Sequence, residues 1–223
     1  MTGMKKVGII ALVALVSMLL AGCSPAPTPS TGDAVPDSEG EVVAFYGDSY
    51  TLGTGALDLS NRWSTVICDR RGWTEYNPSV NGLGFVNNRG RGGDLPALII
   101  AQDPDIVFVT MGLNDNFSYD RVGTAIRDQI DADFTQLTEA LPDARFIVVE
   151  PFWYTDERPE SVEAIIGWVH DAADRYGADW IPDASHWIEG HPEWMASDGL
   201  HPNDDGYAEM ARRMESALAE LGL

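Results

Sequence analysis

A serine hydroxyl attacks a carbonyl at neutral pH only with help. It needs a base in hydrogen-bond reach, a group that orients the base, and donors aimed at the developing oxyanion. The 223-residue sequence holds candidates for each part. Ser49 lies in Gly47-Asp48-Ser49-Tyr50, directly after the apolar run Val42–Tyr46. Glycine permits a sharp turn there, and a helix beginning at the turn would aim its N-terminus at the hydroxyl. By itself Gly-Asp-Ser is most often a turn or a helix cap. The Gly-x-Ser-x-Gly elbow is not met, because Thr51 stands at its second glycine. Asn114, in Gly112-Leu113-Asn114-Asp115, follows a second apolar run, Ile106–Thr110. Its amide can donate to an oxyanion without titrating, although an Asx turn is the plainer reading.

Asn81-Gly82-Leu83-Gly84-Phe85 supplies two glycines, Gly82 and Gly84, whose N–H groups can approach a substrate closely. A dinucleotide fingerprint fails there, since Asn87 occupies the place of its third glycine. Asp198-Gly199-Leu200-His201-Pro202 puts an acid three residues before a histidine. The carboxylate can then receive Nδ1–H and leave Nε2 facing outwards as a base. Asp183 and His186 share that spacing, so spacing alone does not choose between the pairs. His170 and His191 have no acid three residues earlier and suit surface or capping roles. No metal is implied, because the histidines are scattered and Cys23 and Cys68 lack ligand spacing. Cys68, in an apolar stretch, reads as an inert buried thiol.

Strand-like runs at 42–46, 73–77, 106–110, 145–149 and 180–181 alternate with helical patterns at 61–71, 95–102, 120–140, 159–176 and 204–221. Continuous apolar strands alternating with helices predict a mainly parallel sheet of about five strands covered on both faces, a three-layer α/β/α sandwich. Ligands sit at the carboxyl ends of such strands. The Ser49 and Asn114 segments both follow strands directly, so they should open on one edge.

Taken together, Gly47-Asp48-Ser49, Gly82, Gly112-x-Asn114-Asp115 and Asp198-x-x-His201-Pro202 resemble the four ordered blocks of the SGNH (GDSL-like) hydrolase superfamily. The resemblance spans residues 47–202 and implies a flavodoxin-like sandwich. It implies Ser49 as nucleophile, His201 as base and Asp198 as its orienting acid. The implied oxyanion donors are the Ser49 and Gly82 backbone N–H groups and the Asn114 side chain. The family places its acid and base just before the last helix, which favours His201 over His186. Tyr50 departs from the leucine in the GDSL name, and the second block leaves Gly84 as an alternative to Gly82. The family hydrolyses small acyl esters, acetylated carbohydrates, lysophospholipids and thioesters, and needs no cofactor. Phe85, Phe117, Phe152, Trp153 and Tyr154 are candidates to line a substrate site, with ordinary packing as the alternative. The expectation is an esterase acting on a small-molecule ester. The alternatives are an O-acyltransferase on the same triad and a catalytically inactive binding lipoprotein.

The N-terminus points to export. Lys5-Lys6 precedes an uncharged apolar run, Val7–Leu20, too short to span a bilayer as a helix. Leu20-Ala21-Gly22-Cys23 resembles the lipobox of bacterial lipoproteins, which implies cleavage before Cys23 and lipid on its sulfur. Residues 1–22 are thus expected to be a signal peptide, 23–40 a disordered Pro/Ser/Thr-rich tether, and 41–223 the catalytic domain. The expected location is extracytoplasmic, at the membrane. The net charge of −21 repels phosphate backbones, which argues against nucleic acid as a partner, and no obligate protein partner is evident.

Overall fold

The computed structural model describes residues 40–223, so the signal peptide expected over 1–22, Cys23 and the tether up to residue 39 lie outside the described residues. The chain runs β1 (Val42–Tyr46), α1 (Ser49–Leu52), α2 (Trp63–Arg71), β2 (Thr74–Tyr76), α3 (Leu95–Ile100), β3 (Ile106–Val109), α4 (Tyr119–Ala140), β4 (Arg145–Val149), α5 (Glu160–Tyr176), β5 (Asp179–Ile181) and α6 (Asp204–Glu220).

The strands form one sheet in the order β2-β1-β3-β4-β5, with every neighbouring pair parallel. The expected five-stranded sandwich is therefore present, and its sheet is wholly parallel. β1, β3 and β4 are runs of β-branched and aromatic residues, buried on both faces as a helix-covered parallel sheet requires. Their alternate side chains divide between two cores. Val43, Phe45, Ile106, Phe108, Ile147 and Val149 meet α2 and α6 through Trp63, Ile67, Tyr207, Met210 and Met214. Ala44, Tyr46, Val107, Val109 and Val148 meet α3, α4 and α5 through Ile99, Ile126, Ile130, Phe134 and Val169. Cys68 is buried, and burial pushes its thiol well above the ordinary value.

Two expected helices differ at their starts. The segment expected to begin at residue 61 forms a short 3-10 turn, Leu59–Asn61, before α2 opens at Trp63. α4 is broken at Val122 (φ −136°, ψ 23°), where a β-branched residue meets Gly123, both weak helix formers. The helix expected after Ser49 is only the single turn α1.

The register positions the site. Tyr46 pairs with Val109 at the last rung of β1 and β3, so both chains leave the sheet at one level. Gly47 is required there by space, because a Cβ would fall 2.5 Å from the Thr110 Oγ1 and the Thr51 Cβ. The Thr51 and Thr110 hydroxyls hydrogen-bond at 2.6 Å and fasten the two exits together.

Candidate active site

Ser49 is the first residue of α1, and Asp48 caps that turn by accepting the Tyr50 N–H at 3.0 Å. As the first helical residue, Ser49 has no intrahelical acceptor for its own N–H. That N–H makes no hydrogen bond among the described residues.

Asn114 sits in the 3-10 turn Leu113–Ser118 that follows β3. Its Nδ2 donates to Asp48 Oδ2 and to the Leu83 carbonyl, both at 3.0 Å. One side chain thus joins the first, second and third blocks. Both amide hydrogens are engaged in this resting geometry, so donation to an oxyanion requires exchanging or sharing one of these bonds.

Asp115 organises the second block. Its Oδ2 accepts the Phe85 N–H at 2.6 Å, and its Oδ1 accepts those of Val86 and Asn87 at 2.9 and 3.0 Å. Gly84 is shaped to this carboxylate, since a Cβ there would lie 2.5 Å from Asp115 Oδ2. The Gly84 N–H donates to the Asn87 carbonyl at 2.8 Å, whereas the Gly82 N–H makes no hydrogen bond among the described residues. Of the two glycines, Gly82 is the one with a free donor.

The Asp198–His201 pair sits at the tip of a small hairpin. Met195 and Pro202 pair antiparallel at its stem, and the Ala196 N–H donates to the His201 carbonyl at 2.7 Å. Asp198 Oδ2 lies 2.7 Å from His201 Nδ1, and its Oδ1 accepts the Leu200 and His201 N–H groups at 2.9 and 3.0 Å. The bond to the His201 ring, reinforced by these backbone donors, holds the Asp198 carboxyl down at about 2. Asp198 therefore stays a carboxylate at neutral pH and faces the Nδ1 side of the ring, the contact that would orient an imidazole whose other nitrogen serves as base.

The hairpin lies against α1. The rings of Tyr50 and His201 are 6.1 Å apart, and a Cβ on Gly55 would lie 3.1 Å from the His201 Cβ. Ser49 and His201 thus share one edge of the sheet, though no hydrogen bond joins their side chains in this resting geometry. Asp183 and His186 do not form an equivalent pair. His186 Nδ1 instead faces Glu189 at 2.5 Å and Arg158 at 2.6 Å, on the exposed surface. His191 stacks on Trp194 and His170 on Trp180.

Burial raises Asp48 to about 7, with Asp115 adding to the rise and the Tyr50 N–H and Asn114 amide opposing it. Burial likewise raises Asp115 against its backbone donors. Both carboxyls were visible in the motifs, yet sequence reasoning gave neither a role. Their adjacency to Ser49 and Asn114 was the available signal. Among the candidate aromatics, Phe85, Phe152 and Trp153 are buried in packing, and Phe117 is exposed. Tyr154 borders an open depression of about 390 Å³ that runs along the hairpin at Met195, Ala196, Ser197 and Gly199.

A one-turn serine helix at the end of β1 and a His–Asp hairpin ahead of the last helix lie where an SGNH-type hydrolase would carry its site. Residues 45–209 match the GDSL-like Lipase/Acylhydrolase family, to which the chain belongs. It is accordingly a serine hydrolase of ester bonds. It is similar to the GDSL lipase Rv0518 of Mycobacterium tuberculosis (strain ATCC 25618 / H37Rv), 27% identical over 95% of each chain. Among solved structures it resembles the psychrotrophic esterase EstA from Pseudoalteromonas sp., crystallised inhibited by monoethylphosphonate. That likeness has a TM-score of 0.67 at 18% identity, covering 81% of this chain and 98% of the other. TesA gives a TM-score of 0.67 at 19% identity, covering 81% and 99%. Axe2, an acetylxylan esterase from Geobacillus stearothermophilus, gives 0.60 at 19% identity, covering 80% and 94%. At these identities the solved structures speak to the fold alone.

Proposed function

We propose that the chain is an exported, lipid-anchored esterase that cleaves carboxylic esters through a Ser49–His201–Asp198 triad. Ser49 Oγ adds to the ester carbonyl while its proton passes to His201 Nε2. The tetrahedral oxyanion takes hydrogen bonds from the Ser49 N–H, the Gly82 N–H and the Asn114 amide. His201 then gives the proton to the departing alkoxide, and water repeats the sequence on the acyl-enzyme. Asp198 holds the ring and stabilises its cation.

The observation that carries this reading is the Asp198–His201 hydrogen bond on a hairpin packed against the Ser49 turn. The free N–H groups of Ser49 and Gly82 support the oxyanion assignment. Asp198 is half-exposed beside an open depression, so water has access to the pair, which favours hydrolysis over acyl transfer. Cys23 is proposed as the lipidated residue, leaving residues 24–40 as a tether outside the membrane. The test is a series of chromogenic esters from acetyl to long acyl chains, with acetylated glycans alongside, on the wild type and on Ser49→Ala. Hydrolysis of short esters that Ser49→Ala abolishes supports the proposal. A variant that keeps the wild-type rate refutes it.

A further inference from the structure

We propose that Tyr50 is a positioning residue whose hydroxyl, on the Leu200 carbonyl, fixes where His201 stands relative to Ser49. The inference rests on the assignment of Ser49 and His201 above and adds a residue to it.

Tyr50 follows Ser49 within the single turn α1, so its backbone moves with the nucleophile. Its side chain is buried, and its hydroxyl donates to the Leu200 carbonyl at 2.6 Å. Leu200 C=O and His201 N–H belong to one peptide unit, which is planar and rigid. That unit is gripped at both ends, the carbonyl by Tyr50 and the N–H by Asp198 Oδ1 at 3.0 Å. Gripping both ends fixes the direction in which the His201 Cα, and with it the ring, leaves the hairpin. The Tyr50 ring is itself held, stacked on Phe152 at 5.7 Å and 18°.

A reciprocal bond strengthens the tie. Tyr207, on the helix that the hairpin leads into, donates its hydroxyl to the Thr54 carbonyl at 2.7 Å and approaches the Ser49 carbonyl at 3.5 Å. The nucleophile segment thus reaches the histidine hairpin through one tyrosine, and the hairpin's helix reaches back through another. Burial pushes both phenols up, so both remain protonated donors. The leucine that the family pattern places at position 50 has no hydroxyl and could not make this bond. A purely packing role for Tyr50 would need only its ring, and the hydroxyl separates the two roles.

The test compares wild type, Tyr50→Phe and Ser49→Ala in hydrolysis of p-nitrophenyl acetate. Rates for wild type and Tyr50→Phe are expressed per site titrated to completion with an alkyl p-nitrophenyl phosphonate, so that misfolded molecules do not count. The rate for Ser49→Ala is expressed per mole of protein whose near-UV circular dichroism matches wild type. Misplacing a catalytic group by a fraction of an ångström to 1 Å costs about 10- to 100-fold in rate. Tyr50→Phe should therefore lose about 10-fold or more in kcat with KM within about two-fold. The low-field proton resonance of the Asp198–His201 hydrogen bond should broaden or shift in the same variant. If Tyr50→Phe keeps its kcat and that resonance while Ser49→Ala is inactive, the positioning role is wrong and the nucleophile stands. A lowered melting point with unchanged kcat per site would likewise reduce Tyr50 to packing. If Ser49→Ala hydrolyses at the wild-type rate, both assignments fall.

Discussion

Asp115→Asn tests how the oxyanion side of the site is built. The carboxylate accepts three backbone N–H groups, from Phe85, Val86 and Asn87, in a fully buried position. An asparagine keeps one acceptor oxygen. In its better orientation that oxygen retains Val86 and Asn87, and its amide nitrogen then faces the Phe85 N–H, donor against donor. An orphaned buried N–H costs about 1–3 kcal/mol. The two retained bonds lose their charge assistance, at roughly 1 kcal/mol each. A neutral amide escapes part of the desolvation that raises Asp115, which offsets some of this loss. The net expectation is a destabilisation of about 2–4 kcal/mol, read by urea unfolding at pH 7. Because the loop carrying Gly82 is held by these bonds, kcat for a short ester should fall as well. An Asp115→Asn protein within about 0.5 kcal/mol of wild type would refute the argument that this carboxylate holds the second block in place.

Three further outcomes are expected. Asp198→Asn leaves the hairpin but removes the charge that orients and stabilises the imidazolium, so kcat should fall by about 10⁴-fold with KM little changed. Steady-state kinetics on one short ester checks this, and a loss confined to KM would contradict it. Asn114→Ala deletes a proposed oxyanion donor and the bridge to Asp48 and Leu83, so kcat should fall about 100- to 1000-fold, measured in the same assay. Asp48, raised by burial from 3.8 to about 7, favours the folded state while protonated. That contribution is full below about pH 4 and is lost as pH rises through about 7. Wild type should therefore lose about 4 kcal/mol relative to Asp48→Asn between pH 4 and pH 8. Denaturant unfolding across that range reads the difference, and a pH-independent gap would contradict the assignment.

The sheet was legible because its strands are buried on both faces. Val42–Tyr46, Ile106–Thr110 and Arg145–Val149 read as strands from apolar continuity; the first and last are placed without error, and the middle one ends a residue earlier, at Val109. The chemistry-bearing blocks were legible as an ordered set, since each directly follows a strand or precedes the final helix. Contacts between blocks were not legible. Nothing in the spacing of Asp183 and His186 reveals that His186 turns to Glu189 and Arg158 instead. The choice between Gly82 and Gly84 depends on which N–H the Asn87 carbonyl takes, a long-range fact of loop closure. The double engagement of the Asn114 amide likewise appears only when three blocks meet. Phe85 and Phe152, candidates for a substrate wall, are core residues because β-strand ends and the α1 turn close over them.

The central claim is that Ser49 forms the covalent bond to the acyl group. Reaction with an alkyl p-nitrophenyl phosphonate, followed by peptide mass spectrometry, measures this directly. One equivalent of nitrophenol should be released, ester hydrolysis should be lost completely, and the phosphonyl mass should be carried by the peptide containing Ser49. Label carried by another residue, or full inactivation of the enzyme with Ser49 unmodified, would contradict it.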